Sequence, residues 1–213
     1  MKADTVHVVD DDASWRSSVQ RLLCAAGYRV VLYESAEQFL ETAVLDSPGS
    51  ALLDMRMPGL TGRQLQQQMA DMRRRVSIVF ISGHGDIPTT VRAMNSGAED
   101  FLTKPVDTDV LLGAVERALA RDRENRGRRD RVEALRSRID TLTPAERKVF
   151  DLVVRGKLNK QIAAELGTAE RIVKWHRYNL MQRLQAQTLA ELVSVAERLG
   201  LNGTDDRPPG DSR

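Results

Sequence analysis

A chain of 213 residues has room for one large domain or two small ones, and its 41% hydrophobic and 29% charged content is that of a globular protein. Its single cysteine, Cys24, excludes an internal disulfide framework and fits a reducing compartment, so the expected location is cytoplasmic. The first residues, Met1 to Thr5, lack the apolar core of a signal peptide. No run approaches the roughly 18 apolar residues of a membrane helix, so no membrane partner is expected. The net charge of +2 hides an asymmetry: residues 1–120 carry 12 basic against 16 acidic side chains (−4), and residues 121–213 carry 20 against 14 (+6). An acidic half joined to a basic half suggests two modules with different partners.

Val6-His7-Val8-Val9 is a β-branched run that ends in Asp10-Asp11-Asp12. A helix-period stretch follows, with Val19, Leu22, Leu23 and Ala26 on one face and Gly27 as its stop; Cys24 is expected there as a small core residue. Asp12 is expected to cap that helix, and His7 to be packed within its strand. Val30-Val31-Leu32 reads as a second strand and Ser35-Ala36-Glu37-Gln38 as a capped helix start. A third strand, Ala51–Leu53, delivers Asp54 before Arg56, Pro58 and Gly59 turn the backbone away. Leu65, Met69 and Met72 mark the next helix. Val76 to Ile81 is a fourth strand, ending in Ser82-Gly83-His84-Gly85, where His84 is read as a loop residue. A helix from about Pro88 through Val91 and Met94 precedes a short fifth strand, Asp100–Thr103, and then Lys104-Pro105. Val110, Leu111, Ala114, Val115, Ala118 and Leu119 give a last amphipathic helix. Five strands alternating with five helices predict a doubly wound α/β fold around a parallel sheet.

Residues 121–140 change character, with 8 arginines against 5 acidic residues. Val132, Leu135, Ile139 and Leu142 form a short heptad-like seam, interrupted upstream by Gly127. A solvated linker helix and a coiled-coil spacer both fit. From Leu142 the chain reads as helix alone. Thr143-Pro144-Ala145-Glu146 is a capping box with proline at the first helical position, and Val149, Phe150 and Val153 form a buried face. Lys160–Leu166, a glycine turn, and Glu170–Leu184 fit a helix-turn-helix, whose second helix carries Arg171, Lys174, His176 and Arg177. A fourth helix, Leu189–Leu199, presents Leu192, Val193, Ala196 and Leu199, and residues 202–213 read as a disordered polar tail.

Asp10, Asp11, Asp54, Ser82 and Lys104 all follow strands and so face one crevice at the sheet's carboxyl edge. Converging carboxylates repel unless a divalent cation or protons join them, and Mg²⁺ suits hard oxygen ligands while keeping waters and phosphate oxygens. A carboxylate there can attack a phosphoryl group, with lysine and metal neutralising the transferring oxygens. These residues at these spacings resemble the receiver domain of two-component response regulators over roughly residues 4–120. That resemblance implies Asp54 as phosphoacceptor, with Asp10 and Asp11 in the acidic pocket. It implies Mg²⁺, or another divalent cation, on Asp11, Asp54 and the Arg56 carbonyl. Lys104 is expected on the phosphoryl group, before a cis bond to Pro105. Ser82 and Phe101 take the switch positions, with Ser82 where Thr is commoner.

Leu142 to Arg147, Asn159 to Ala163 and Val173 to His176 resemble the LuxR-type DNA-binding domain, covering about residues 141–201. Lys160 and His176 are then expected at phosphates and Arg171, Val173 and Lys174 near bases. Three positions depart from that pattern. Ala169 replaces a capping Ser or Thr, leaving Thr168 as the substitute cap. Ile172 replaces a common Thr, and Trp175 is bulkier than the usual aliphatic residue. Together the two halves resemble the NarL/FixJ class, closest to its FixJ branch. The implied organisation is a receiver (1–120), a helical linker (121–140), an all-α four-helix DNA-binding module (141–201) and a tail (202–213). The implied function is a phosphorylation-dependent transcriptional regulator. A sensor histidine kinase would phosphorylate Asp54, promoting a homodimer, with Leu192, Val193 and Ala196 on the DNA-domain dimer face. Double-stranded promoter DNA and RNA polymerase are the further partners. The protein is expected to be a phosphoacceptor that slowly dephosphorylates itself, not an enzyme. Two alternatives stand beside this. One is an aspartyl-nucleophile phosphohydrolase, although Arg56 occupies the general-acid position of such enzymes. The other is a constitutive DNA-binding protein using the receiver as a scaffold.

Overall fold

The structure is a computed structural model that describes residues 4–45, 47–72, 76–83 and 87–201, with only the backbone of 87–89. His84 and the 202–213 tail lie outside the described residues. Chain contacts divide it into two compact units that meet between Gly127 and Arg128.

In the first unit, strands β1 (Thr5–Val9), β2 (Arg29–Tyr33), β3 (Gly49–Asp54), β4 (Ser77–Ser82) and β5 (Asp100–Thr103) alternate with five helices. These are α1 (Ala13–Ala25), α2 (Ala36–Thr42), α3 (Gly62–Asp71), α4 (Ile87–Asn95) and α5 (Thr108–Asp140). All pairs are parallel in the order β2-β1-β3-β4-β5, so the expected doubly wound sheet is present. The strands alternate between two cores, as a two-residue side-chain period requires. Val9, Leu53 and Phe80 meet Phe39, Leu65 and Met69 on one face. Val8, Leu52 and Val79 meet Leu23, Leu111 and Val115 on the other. A sheet covered on both sides needs such unbroken apolar runs. The strand order reverses between β1 and β3, and the carboxyl ends of these two strands hold Asp10 and Asp54.

Asp12 caps α1, accepting from the Ser14 and Trp15 amides. Cys24 is exposed rather than core, and so is Ala26. The buried stripe of α1 passes through Val19 and Leu23, and Cys24 stands about 100° around the helix from Leu23. His7 is buried as expected, with Nδ1 2.9 Å from the Tyr33 hydroxyl; burial, then Arg29, pushes its pKa down to about 4.

Helix α5 runs unbroken from Thr108 to Asp140, across the expected linker start and across Gly127. Glycine in a helix costs only about 1 kcal/mol, and the turns before it are tied to the sheet. Asp122 is buried, accepts from the Gly49 amide at 3.1 Å, and meets Arg126 Nε at 2.6 Å. Arg126 also donates to the Leu45 carbonyl at 2.7 Å.

The second unit contains α6 (Pro144–Val154), α7 (Asn159–Leu166), α8 (Glu170–Leu184) and α9 (Leu189–Leu199). Phe150, Ile162, Val173, Leu180, Leu192 and Ala196 share its core with Ile139 from the end of α5. Leu192 and Ala196 are therefore not a dimer face; both are fully buried within the module, and Val193 is half-buried. Thr143 and Glu146 form the expected capping box of α6. Gly167 ends α7 at φ +61°, a left-handed turn that glycine adopts without strain, and α8 follows at once. The cap residue of α8 is Ala169, and among the described residues no side-chain cap bond forms there, so Thr168 does not substitute.

Candidate functional site

β1 and β3 bring Asp10, Asp11 and Asp54 together, with carboxylate oxygens of all three within 4.8 Å of one another. Asp10 is fully buried, Asp54 nearly so, and Asp11 is exposed. Lys104, just beyond β5, closes the group. Its Nζ lies 2.5 Å from Asp10 Oδ2 and 3.2 Å from Asp54 Oδ1. Asp10 Oδ1 accepts from the Asp12 amide at 2.9 Å, and Asp54 Oδ2 from the Arg56 amide at 3.0 Å. The Lys104-Pro105 bond is cis, as expected. Ser82 ends β4, buried, one residue beyond the Ile81 that faces Asp54 in the ladder. Phe101 is paired with Phe80 across β4 and β5 and is half-buried against the core below.

The electrostatics follow from this crowding. Burial pushes the Asp54 carboxyl above its ordinary pKa; Lys104 opposes that rise, Asp10 adds to it, and the Arg56 amide opposes it. Burial works against the Lys104 charge, yet the bonds and charges of Asp10 and Asp54 outweigh it and hold its pKa above the usual lysine value. A second cation would relieve the remaining carboxylate repulsion. Three hard oxygen donors at this separation fit a divalent cation, with the Arg56 carbonyl beside them in sequence.

Two contributors escaped the sequence reading. Gly62 opens α3 against the site: a Cβ there would stand 2.3 Å from the Asp54 carbonyl oxygen, so only glycine admits this approach. Trp15 places its ring 4.4 Å from Lys104 Nζ.

In the second unit, α7 and α8 form the helix-turn-helix, tied by Arg177 Nη1 donating to Asn159 Oδ1 at 2.8 Å. Lys160, Arg171 and Lys174 are exposed. Lys174 meets Glu170 one turn back at 3.2 Å, a solvent-exposed pair of small energetic weight. Val173 corrects the expectation of a base contact: it is 0% exposed, packed with Leu180 and Leu184 on the inward stripe of α8. The outward stripe instead carries Arg171, Trp175 and Tyr178, the two aromatics being 59% and 63% exposed. His176 is half-buried, its Nδ1 inside the module without a hydrogen-bond partner among the described residues, and its ring is edge-on to Trp175 at 4.8 Å.

A parallel five-stranded sheet with an acidic triad and a lysine at its switch point defines a receiver, and the second unit a helix-turn-helix output module. Residues 6–116 match the family model described as the response regulator receiver domain, and residues 140–196 that of the bacterial regulatory proteins of the luxR family. The chain is 44% identical to Nodulation protein W of Bradyrhizobium diazoefficiens over 92% of its own length and 87% of that protein. It is 37% identical to the transcriptional regulatory protein FixJ of Azorhizobium caulinodans over 96% and 97%. Among solved structures, the response regulator StyR aligns at 45% identity and a TM-score of 0.78, over 92% of this chain and 99% of that one. Full-length FixJ from B. japonicum aligns at 34% and 0.56, over 94% and 99%. The chain belongs to the two-component response regulators that join a receiver to a LuxR-type DNA-binding domain, alongside FixJ and Nodulation protein W. Such a regulator implies a kinase partner and DNA. Among the described residues no helix is long and apolar enough to cross a membrane.

Proposed function

We propose that Asp54 accepts a phosphoryl group from a sensor histidine kinase and that this modification drives receiver pairing and promoter binding. The observation that carries the proposal is Lys104 Nζ set between Asp10 and Asp54 beside Asp11. An Asp54 oxygen attacks the phosphorus, the bond to the donor breaks, and the leaving group departs with the electron pair. From acetyl phosphate the leaving group is acetate, and no proton need move. Lys104 stands where it can leave the Asp54 carboxylate and meet the transferred oxygens. Asp11, Asp54 and the Arg56 carbonyl would hold Mg²⁺, which when bound offsets negative charge on those oxygens. Slow attack by water on the aspartyl phosphate returns the carboxylate and inorganic phosphate, so the chain resets itself without being an enzyme for another substrate. Arg56 at the position two residues after Asp54 offers no general acid for phosphohydrolase turnover.

The new phosphoryl oxygens draw Ser82, and Phe101 turns inward beside it, reshaping the surface of α4, β5 and α5. Val91, Met94 and Val110 are exposed there and supply apolar area for a second receiver. Phosphorylation shifts the balance only if the paired form holds the phosphoryl group better than the single one. Pairing would deliver two α8 helices to successive major-groove half-sites, about 34–36 Å apart. Lys160 and His176 would contact phosphates, with Arg171 and Lys174 near base edges. Promoter binding of this kind places the protein in the cytoplasm, with RNA polymerase as a further partner.

Acetyl phosphate should therefore tighten binding of the full chain to duplexes enriched from a random DNA pool, measured by fluorescence anisotropy. Lys174→Ala should weaken that binding and lower the slope of log affinity against log salt by about one. A response to neither acetyl phosphate nor the substitution would overturn the proposal.

A further inference from the structure

We propose that Trp15 is a positioning residue of the phosphoryl site, holding the Lys104 ammonium in place through the face of its indole. The inference rests on the phosphoacceptor reading of Asp54. Trp15 lies three residues beyond Asp12, in the first turn of α1, and is half-buried against the core on the α1 and α5 side of the sheet. Its position is fixed from both sides. The Asp12 carboxylate accepts from its amide at 3.2 Å, and the neighbouring Arg16 Nη1 donates to the Asp10 carbonyl at 2.5 Å. The ring centroid so placed lies 4.4 Å from Lys104 Nζ, within the range of a cation–π contact.

Lys104 has three partners, and one of them, Asp54, changes during the reaction. Asp10 and Asp54 hold the ammonium in the resting site at 2.5 and 3.2 Å. Phosphorylation consumes a free Asp54 oxygen, and a divalent cation held by Asp11 and Asp54 competes for that same carboxylate. The indole neither titrates nor coordinates metal, so its face stays available to the ammonium before and after transfer. It also covers one face of a lysine that is 21% exposed, which strengthens each remaining contact by excluding water.

The test uses the full chain with acetyl phosphate as donor. Trp15→Leu should slow phosphoryl gain by about three- to tenfold, the range of a partly desolvated cation–π contact. Trp15→Phe keeps an aromatic face and should recover most of the rate. A second readout needs neither metal nor phosphodonor. In a Trp175→Phe background Trp15 is the one remaining tryptophan, and Lys104→Met should then shift its fluorescence emission. An unshifted emission would overturn the proposal, as would Trp15→Leu reacting at the wild-type rate or Trp15→Phe failing as badly as Trp15→Leu. If Trp15→Leu melts below the assay temperature, the phenylalanine variant and the emission shift decide. A wild-type chain that gains no phosphoryl group would sink the Asp54 reading instead, while the emission comparison still judges the Trp15–Lys104 contact.

Discussion

Asp54→Asn is expected to abolish phosphoryl gain from acetyl phosphate and, with it, every phosphate-dependent change in oligomeric state and DNA binding. The amide is a far weaker nucleophile than the carboxylate, and Asp10, fully buried and held by Lys104 and the Asp12 amide, is closed to the donor. The same substitution should raise the melting temperature of the receiver. Burial lifts the folded-state pKa of Asp54, Lys104 only partly reverses this, and Asp10 adds to it. A carboxyl whose pKa is raised by folding favours the native state while protonated and disfavours it once ionised. At neutral pH the wild type therefore carries a cost that asparagine lacks, and the gap should close as pH falls below the folded-state pKa of Asp54. Thermal melts of both proteins across acidic to neutral pH test this. Loss of function with a gain in stability marks a site selected for chemistry, whereas a lower melting temperature at pH 7 would contradict that electrostatic reading.

Phe150→Ala should have the largest effect on the second unit. Phe150 is fully buried in α6 among Ile162, Val173 and Leu180. Truncating a buried phenylalanine costs about 3–5 kcal/mol, which equals what a core of this size supplies in total, about 3–5 kcal/mol. DNA binding should be lost with the helical signal of the module, read by circular dichroism on the full chain. Phosphoryl gain at Asp54 should persist, because the receiver has its own two cores. Loss of both activities would instead show that the units do not fold independently.

Much of the receiver was legible because its information is local. Four apolar runs each end in a polar residue, Asp12 stands one position before a helix that needs a cap, and Lys104 follows the last strand. What was not legible depends on residues far apart in sequence. Trp15 and Lys104 meet only once the sheet brings the start of α1 and the end of β5 to its carboxyl edge, and Gly62 matters only because α3 starts against the Asp54 carbonyl. Asp122 reads as one charge in a basic helix until Gly49 and Arg126 bury it. Val173 is a different case. Its spacing to Leu180 and Leu184 places all three on one face of α8, so periodicity pointed inward while the family resemblance pointed toward bases. Leu192 and Ala196 likewise form an apolar helix face, and a four-helix module of this size uses that face for its own core before any partner can.

Intact-mass spectrometry of the full chain with acetyl phosphate and Mg²⁺ tests the phosphoacceptor assignment most directly. The expected result is a gain of one phosphoryl group, about 80 Da, in the wild type and none in Asp54→Asn. A wild-type chain that never gains that mass, or an Asp54→Asn chain that gains it equally, would contradict the assignment.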